Sequence, residues 1–174
     1  MACPDLLASI EDVVSAVTGC YRNGRRVFFC GNGGSAADAQ HLAAELSGRF
    51  LLDRDPLPAE ALHVNSSFLT AVSNDYGFER AFERAVAAYG STGDVLFVLS
   101  TSGNSPNVLH AARKAREKGL MVVGMTGRHG GALRQACDLL LCMPEEQTPR
   151  IQEAHILCGH IICELVEASL FARP

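Results

Sequence analysis

The chain has 174 residues, of which 48% are hydrophobic and 20% are charged, a composition ordinary for one globular domain. The net charge is −4 with no basic tract, so we expect no nucleic-acid partner, which would need clustered cationic side chains. No apolar run approaches the roughly 20 residues of a membrane span, and the acidic N-terminal segment is unlike a secretion signal, so we predict no membrane contact and a cytoplasmic protein.

Helices and strands alternate in the predicted structure from one end of the chain to the other. Apolar residues at helical spacing predict a first helix over about 5–22 and a long last helix over about 150–171. Shorter helices are predicted over 35–46, 67–73, 78–88 and 106–118. Apolar strands are predicted over 26–30, 61–65, 94–99, 120–125 and 139–143. We therefore predict one α/β domain over 1–174, a flavodoxin-like, three-layer αβα sandwich around a five-stranded parallel sheet.

The seven cysteines predict neither a zinc centre nor a disulfide framework. They form no C-x-x-C pair, and most of them stand beside Val, Leu, Ile or Phe. We expect reduced and mostly buried thiols at all seven positions: Cys3, Cys20, Cys30, Cys137, Cys142, Cys158 and Cys163.

A glycine-rich segment, Cys30-Gly31-Asn32-Gly33-Gly34-Ser35, follows the first strand. Glycines let backbone N–H groups approach a ligand, and a helix capped by Ser35 would present free N–H donors and its positive dipole end. A tight turn that binds no ligand explains the same pattern. The segment lacks the lysine of a P-loop and departs from the dinucleotide-binding motif, so a nucleotide ligand is disfavoured.

The segment after the central strand, Ser100-Thr101-Ser102-Gly103-Asn104-Ser105, is rich in hydroxyl groups. It places four hydroxyls and a glycine within six residues just before a helix. Hydroxyls together with helix N–H groups can form an anion cradle that needs no cation. The alternative is that Ser105 merely caps the helix, although four hydroxyls exceed what one cap requires.

Two pairs of polar residues lie on predicted helices. His41 and Glu45 are spaced i, i+4 and share one helix face, which suits two metal ligands, a base with its neighbour, or an ordinary surface pair. On the last helix, Gln152 and His160 lie within about 80° of each other around the axis, whereas His155 points about 140° away from His160. We expect His155 to be structural. The same is expected of His63, His110 and His129.

At this point the sequence resembles a known family, the phosphoheptose isomerases of the sugar isomerase (SIS) domain superfamily. The resemblance covers nearly the whole chain, with the motifs in the expected order. They are Cys-Gly-Asn-Gly-Gly-Ser at 30–35, Gln-His-Leu-Ala-Ala-Glu-Leu at 40–46, Ser-Asn-Asp-Tyr-Gly-Phe at 73–78, Ser-Thr-Ser-Gly-Asn-Ser at 100–105 and Arg-Ile-Gln-Glu-Ala-His at 150–155. Two departures are a shorter N-terminal helix and Pro149, which stands where some members carry an acid.

The resemblance implies an isomerase that converts sedoheptulose 7-phosphate to D-glycero-D-manno-heptose 7-phosphate, the first step toward the activated heptoses of surface glycans such as lipopolysaccharide. It also implies a homotetramer with active sites at subunit boundaries and one zinc ion per subunit. The implied zinc ligands are His41, Glu45, Gln152 and His160. We predict that Glu45 is the base that moves the carbon-bound proton and that His160 handles the oxygen protons.

The remaining implied residues bind the substrate. The phosphate would lie on the hydroxyl-rich segment, at Ser100, Thr101, Ser102 and Ser105. Further contacts to phosphate and sugar hydroxyls fall on Asn32, Gly33, Ser35, Arg49, Asn74, Asp75 and Gln152.

There are three alternatives to this function. A non-catalytic tetrameric SIS protein that binds a replication initiator typically lacks the residues corresponding to Glu45 and His160, and both are present here. A sugar-phosphate sensor fused to a DNA-binding module would need a basic helix-turn-helix segment, which does not precede residue 26. An isomerase of another sugar phosphate, such as a hexulose or pentulose phosphate, stays open.

Overall fold

The computed structural model describes residues 6–171, so Cys3 and the first residue of the predicted N-terminal helix lie outside the described residues. Its helices are α1 (Leu6–Arg22), α2 (Gly34–Ser47), α3 (Ser66–Tyr76), α4 (Ala81–Tyr89), α5 (Pro106–Glu117), α6 (Leu133–Ala136) and α7 (Thr148–Phe171). Its strands are β1 (Val27–Gly31), β2 (Ala59–Ala61), β3 (Val95–Leu99), β4 (Met121–Thr126) and β5 (Leu139–Cys142). A 3₁₀ turn over Phe78–Arg80 lies between α3 and α4.

The five strands form one parallel sheet in the order β2-β1-β3-β4-β5, which confirms the predicted α/β sandwich. β1 and β3 are buried along their whole length, as strands covered by helices on both faces must be. The chain order reverses between them, because β2 pairs on one side of β1 and β3 on the other. In open parallel sheets, ligands bind outside the carboxyl ends of the strands at such a reversal. The segments that follow β1 and β3 therefore border the expected crevice.

Successive strand residues point to opposite faces and divide the interior into two hydrophobic cores. On one face, α1, α2 and α7 pack over residues such as Phe29 and Phe97, whose rings are stacked with centroids 4.8 Å apart. On the other face, α4, α5 and α6 pack over Phe28 and Leu96. On the face covered by α1, α2 and α7, the helix α2 lies beside α7. The two helices that carry the predicted metal ligands are therefore neighbours.

The second strand is shorter and begins earlier than predicted, at Ala59–Ala61 rather than 61–65. The residues after it lead into α3, where the Asn65 side chain accepts a hydrogen bond from the Phe68 N–H at 3.0 Å. This bond caps the helix, and an asparagine that caps a helix offers the backbone an alternative to a strand. The prediction for this segment was wrong because it followed the apolar pattern of residues 61–65 rather than the capping signal of Asn65.

Two further differences concern the C-terminal part of the chain. The sequence pattern does not predict α6, because four residues are too few to show helical periodicity. α7 begins at Thr148 rather than at Arg150, and Pro149 lies within its first turn. A proline is tolerated there because the first N–H groups of a helix have no intrahelical partner.

The expectation that no segment approaches the length of a membrane span does not hold for α7, which is long and apolar enough to cross a membrane by length and composition alone. Core helices of globular proteins can have the same length and composition. One face of α7 is buried in the core, through residues that include Ile151, Ile162 and Val166. His155 is fully buried on that face, as expected of a structural histidine. Burial lowers the pKa of its imidazole to about 4, so His155 is neutral near pH 7.

The cysteines within residues 6–171 are thiols, and no disulfide joins them. Five of these six are buried, which agrees with the sequence prediction. Burial raises the pKa of the Cys20 thiol to about 11 and that of Cys163 to about 12. Since the thiolate is the reactive form, these two thiols are unreactive at neutral pH.

Candidate active site

The glycine-rich segment after β1 turns directly into α2. Gly33 is the N-cap residue with a φ of 53°, a left-handed conformation that favours glycine. A Cβ on Gly31 would lie 2.6 Å from the Ser35 carbonyl oxygen, so the backbone closes tightly on itself here. The expectation that Ser35 caps the helix was wrong, because α2 begins at Gly34 and Ser35 is a buried residue of its first turn. The positive end of α2 thus faces the crevice at the carboxyl edge of the sheet.

The hydroxyl-rich segment after β3 forms a compact group of side chains. The Ser100 and Ser105 Oγ atoms are 3.0 Å apart, and the Ser102 Oγ is 3.4 Å from that of Ser100. Ser105 precedes α5 but makes no side-chain capping bond, so helix capping does not account for this serine. The hydroxyls instead gather at the N-terminus of α5, where N–H groups without intrahelical partners attract an anion.

The segment that leads from β4 into α6 supports the hydroxyl-rich segment through backbone hydrogen bonds. The Thr101 carbonyl accepts a hydrogen bond from the Gly127 N–H (2.9 Å), and the Gly103 carbonyl accepts one from the Leu133 N–H (3.0 Å). Gly103 has a φ of 67°, and a Cβ there would overlap the Gly130 carbonyl oxygen. The sequence pattern does not predict this support, for which the Gly130-Gly131 pair is the local signal.

Two asparagines join the segments that follow β1 and β3. The Asn32 amide donates to the Asn107 Oδ1 at 2.9 Å, and the Asn107 amide donates back to the Asn32 Oδ1 at 2.8 Å. Asn107, on the first turn of α5, is buried, and the sequence pattern does not predict its role because its partner is 75 residues away. Asn32, predicted to contact substrate, therefore also holds the two segments together.

Three of the four predicted metal ligands lie together on the faces of α2 and α7. The Nε2 atoms of His41 and His160 are 2.8 Å apart, and the Glu45 Oε1 is 3.1 Å from the His41 Nε2. One donor atom from each residue lies within 4.8 Å of the other two. His41 is exposed and its two partners are half-buried, so solvent and a ligand can reach the cluster.

The donor chemistry of this cluster fits a zinc ion. Two imidazole nitrogens and one carboxylate oxygen form a known set of catalytic zinc ligands, which leaves a fourth position for water or substrate. The imidazole nitrogens already converge at 2.8 Å, whereas two unprotonated nitrogens without a bridging proton or cation would repel each other. Within residues 6–171, His41, Glu45 and His160 are therefore the group that could hold a metal.

Within residues 6–171, Gln152, Arg49, Asn74 and Asp75 make no hydrogen bond or ion pair with this cluster. Gln152 lies against Gly34 at the start of α2, eight residues and about 12 Å along α7 from His160. Arg49 is exposed just after α2. Asn74 and Asp75 are exposed on α3, where the Asn74 amide donates to the Asp75 Oδ1 at 2.8 Å.

Comparison with known proteins gives consistent matches. The family model of the SIS domain matches residues 4–127. The phosphoheptose isomerase of Rhodospirillum rubrum is 57% identical over 166 residues, 95% of this chain and 88% of that protein. A solved phosphoheptose isomerase from Neisseria gonorrhoeae is 43% identical with a TM-score of 0.89, covering 94% of this chain and 87% of that one. Another from Francisella tularensis is 39% identical with a TM-score of 0.88, covering 91% and 85% of the two chains.

Proposed function

The chain belongs to the phosphoheptose isomerase family of SIS domain proteins, and we propose that it interconverts sedoheptulose 7-phosphate and D-glycero-D-manno-heptose 7-phosphate. Two observations carry this proposal: the cluster of His41, Glu45 and His160 on α2 and α7, and the hydroxyl-rich segment at the N-terminus of α5, which the Asn32–Asn107 pair joins to the segment that precedes α2. The reaction would supply activated-heptose biosynthesis for surface glycans.

The reaction requires a proton to move between C1 and C2 of the open-chain sugar while oxygen protons are exchanged. In our proposal, Glu45 removes and returns the carbon-bound proton. Its Oε1 faces His41, and we assign the proton to Oε2, the oxygen that does not face that imidazole. His160, on the facing helix, exchanges protons with the sugar oxygens during ring opening and reprotonation.

A zinc ion would be held by His41, Glu45 and His160, as the donor set favours. Bound there, it would supply a Lewis acid that polarises the sugar carbonyl and the neighbouring hydroxyl. The side chains would keep their own tasks, since Glu45 and His160 provide the proton transfers and fix the geometry in which these occur.

The phosphate would lie against Ser100, Thr101, Ser102 and Ser105 at the N-terminus of α5. The hydroxyl cluster and the helix end supply donors to phosphate oxygens without a cation. Further contacts to phosphate and sugar hydroxyls are proposed for Asn32, Gly33, Ser35, Arg49, Asn74, Asp75 and Gln152. Of these, Asn32 and Ser35 border the crevice through the segment that follows β1.

The direct test is incubation of the purified protein with sedoheptulose 7-phosphate, with the aldose product measured by chromatography. We expect product from the zinc-loaded protein, at least about a tenfold lower rate after chelation, and recovery when zinc is added back. Absence of product from the folded, zinc-loaded protein would refute the proposed reaction. A parallel incubation with a hexulose phosphate and a pentulose phosphate tests the alternative substrates.

We also propose a homotetramer whose sites use more than one chain. In this chain Gln152 lies against Gly34, about 12 Å along α7 from His160, and is not one of the three clustered ligands. We propose that the Gln152 ligand for the cluster comes from a second chain. Apolar side chains are exposed on α1 and α7, at Leu7, Leu157 and Leu165, and such faces are typical of subunit contacts.

Mixed assemblies test the shared site. Chains carrying Glu45→Gln are co-expressed with chains carrying Gln152→Ala, and the mixed tetramers are compared with each parent. If one site takes Glu45 and Gln152 from different chains, about a quarter of the sites regain both residues and activity returns. If mixed tetramers are no more active than their parents, or the active protein sediments as a monomer, the proposal fails.

We place this enzyme of soluble sugar phosphates in the cytoplasm.

A further inference from the structure

A buried ion pair lies next to the backbone of Glu45, which is one member of the ligand cluster formed by His41, Glu45 and His160. The Arg54 Nε is 2.7 Å from the Glu167 Oε2, and each side chain is only 2% exposed. The other ion pairs found within residues 6–171 have at least one partner that is far more exposed. A buried pair is costly to desolvate and is weak evidence for stability as such, which directs attention to the groups that its two side chains contact.

Glu167 holds the segment that follows α2. Its Oε1 accepts hydrogen bonds from the Leu51 N–H (2.8 Å) and the Leu52 N–H (2.7 Å), and its Oε2 accepts one from the Phe50 N–H (3.1 Å). Burial by itself would raise the pKa of Glu167, but these N–H donors and Arg54 outweigh it and hold the pKa below its ordinary value. The Glu167 carboxylate is therefore charged, and both of its oxygens accept hydrogen bonds.

Arg54 holds the end of α2 in the same way. Its guanidinium donates to the carbonyls of Glu45 and Leu46, both at 3.0 Å, and to that of Asp55 at 2.9 Å. The last carbonyls of a helix have no intrahelical partner, so a cation is well placed there. One of these carbonyls belongs to Glu45, the residue assigned as the base.

The held segment also touches the ligand cluster. The Phe50 ring lies against the His160 ring, with centroids 5.5 Å apart and planes inclined by 36°. The backbone of Phe50 is fixed by Glu167, two turns after His160 on α7. The pair thus connects the backbone of Glu45, the ring of Phe50 and the helix that carries His160.

We propose that Arg54 and Glu167 are positioning residues of the isomerase reaction, which set the placement of Glu45 and of the His160 ring. This inference rests on the proposed function. Catalysis by a base requires placement within about half an ångström, and rigid supporting hydrogen bonds supply it. Arg49 lies between the C-cap of α2 and the held residue Phe50, so the same pair also restricts the backbone position of Arg49.

The test compares Glu167→Gln with Glu117→Gln, an exposed carboxylate on α5 that is outside the site. Glutamine keeps the size of Glu167 but lacks the charge and one acceptor oxygen. For the folded Glu167→Gln protein we expect kcat to fall about 10- to 100-fold with KM changed less than about threefold, while Glu117→Gln matches the wild type. A purely structural role would lower the folded yield and leave kcat per folded molecule unchanged.

A second readout does not depend on the substrate. The imidazole NMR signals of His41 and His160 in metal-free protein should shift in Glu167→Gln and stay unchanged in Glu117→Gln. If Glu167→Gln does not fold, Arg54→Lys gives the same readouts, because a lysine cannot bind the carboxylate and the helix carbonyls together. Wild-type kcat with unshifted His160 signals in a folded variant overturns the inference. Failure of the wild type on sedoheptulose 7-phosphate refutes the function alone, and the NMR comparison still decides the positioning role.

Discussion

Replacing Glu45 by glutamine is expected to lower turnover at least about 100-fold, the lower end for a positioned acid–base group. Glutamine keeps the size of the side chain and one oxygen that can face His41, which lies 3.1 Å from the carboxylate. It lacks the basic oxygen that, in the proposed mechanism, carries the proton between the two carbons. The substrate should still bind, because the hydroxyl-rich segment and the N-terminus of α5 are untouched. Turnover and substrate affinity should be measured separately, with zinc content recorded for each protein.

The controls for this prediction use the facing histidine and a remote carboxylate. His160→Gln should lose activity as well, and the double variant should be little worse than either single one, since the two residues act as a unit. Glu117→Gln, on the exposed face of α5, should keep the wild-type rate. If Glu45→Gln retains more than about a tenth of wild-type turnover at equal zinc content, Glu45 is not the principal base.

Replacing Ser102 by aspartate is expected to abolish the binding of phosphorylated sugars. The Ser102 side chain is exposed, 3.4 Å from the Ser100 Oγ, and it accepts a hydrogen bond from the Asn104 N–H at 3.2 Å. A carboxylate at this position would bring a negative charge to the place where the phosphate is proposed to lie. Like charges in contact cost several kcal/mol, which corresponds to at least about a 100-fold loss of affinity.

The measurement is titration calorimetry with sedoheptulose 7-phosphate, with circular dichroism to check that the fold is kept. Ser102→Asn is the matched control, because asparagine has the size of aspartate without its charge, and we expect a smaller loss from it. Unchanged affinity in Ser102→Asp would mean that the hydroxyl-rich segment does not bind the phosphate. Equal losses in both variants would assign the effect to size rather than charge.

The sequence by itself was sufficient for the sheet and for the segments that border the crevice. β1 and β3 are apolar throughout because both of their faces are buried, and such runs are visible in a single sequence. The i, i+4 spacing of His41 and Glu45 predicts a shared face, because residues one turn apart are neighbours on the surface of a helix. Where local signals competed, as at β2 and Asn65, the prediction was wrong by several residues.

Only the tertiary structure decided which distant residues meet. His41 and His160 are 119 residues apart and face each other because α2 packs beside α7. The Arg54–Glu167 pair and the Asn32–Asn107 pair arise in the same way, across 113 and 75 residues. The same packing places Gln152 opposite Gly34, eight residues before His160 on α7 and about 80° from it around the axis. Periodicity determines the face of a helix on which a residue lies, but the residue it meets there depends on how two helices are aligned along their axes, and that is set by the packing of the whole core.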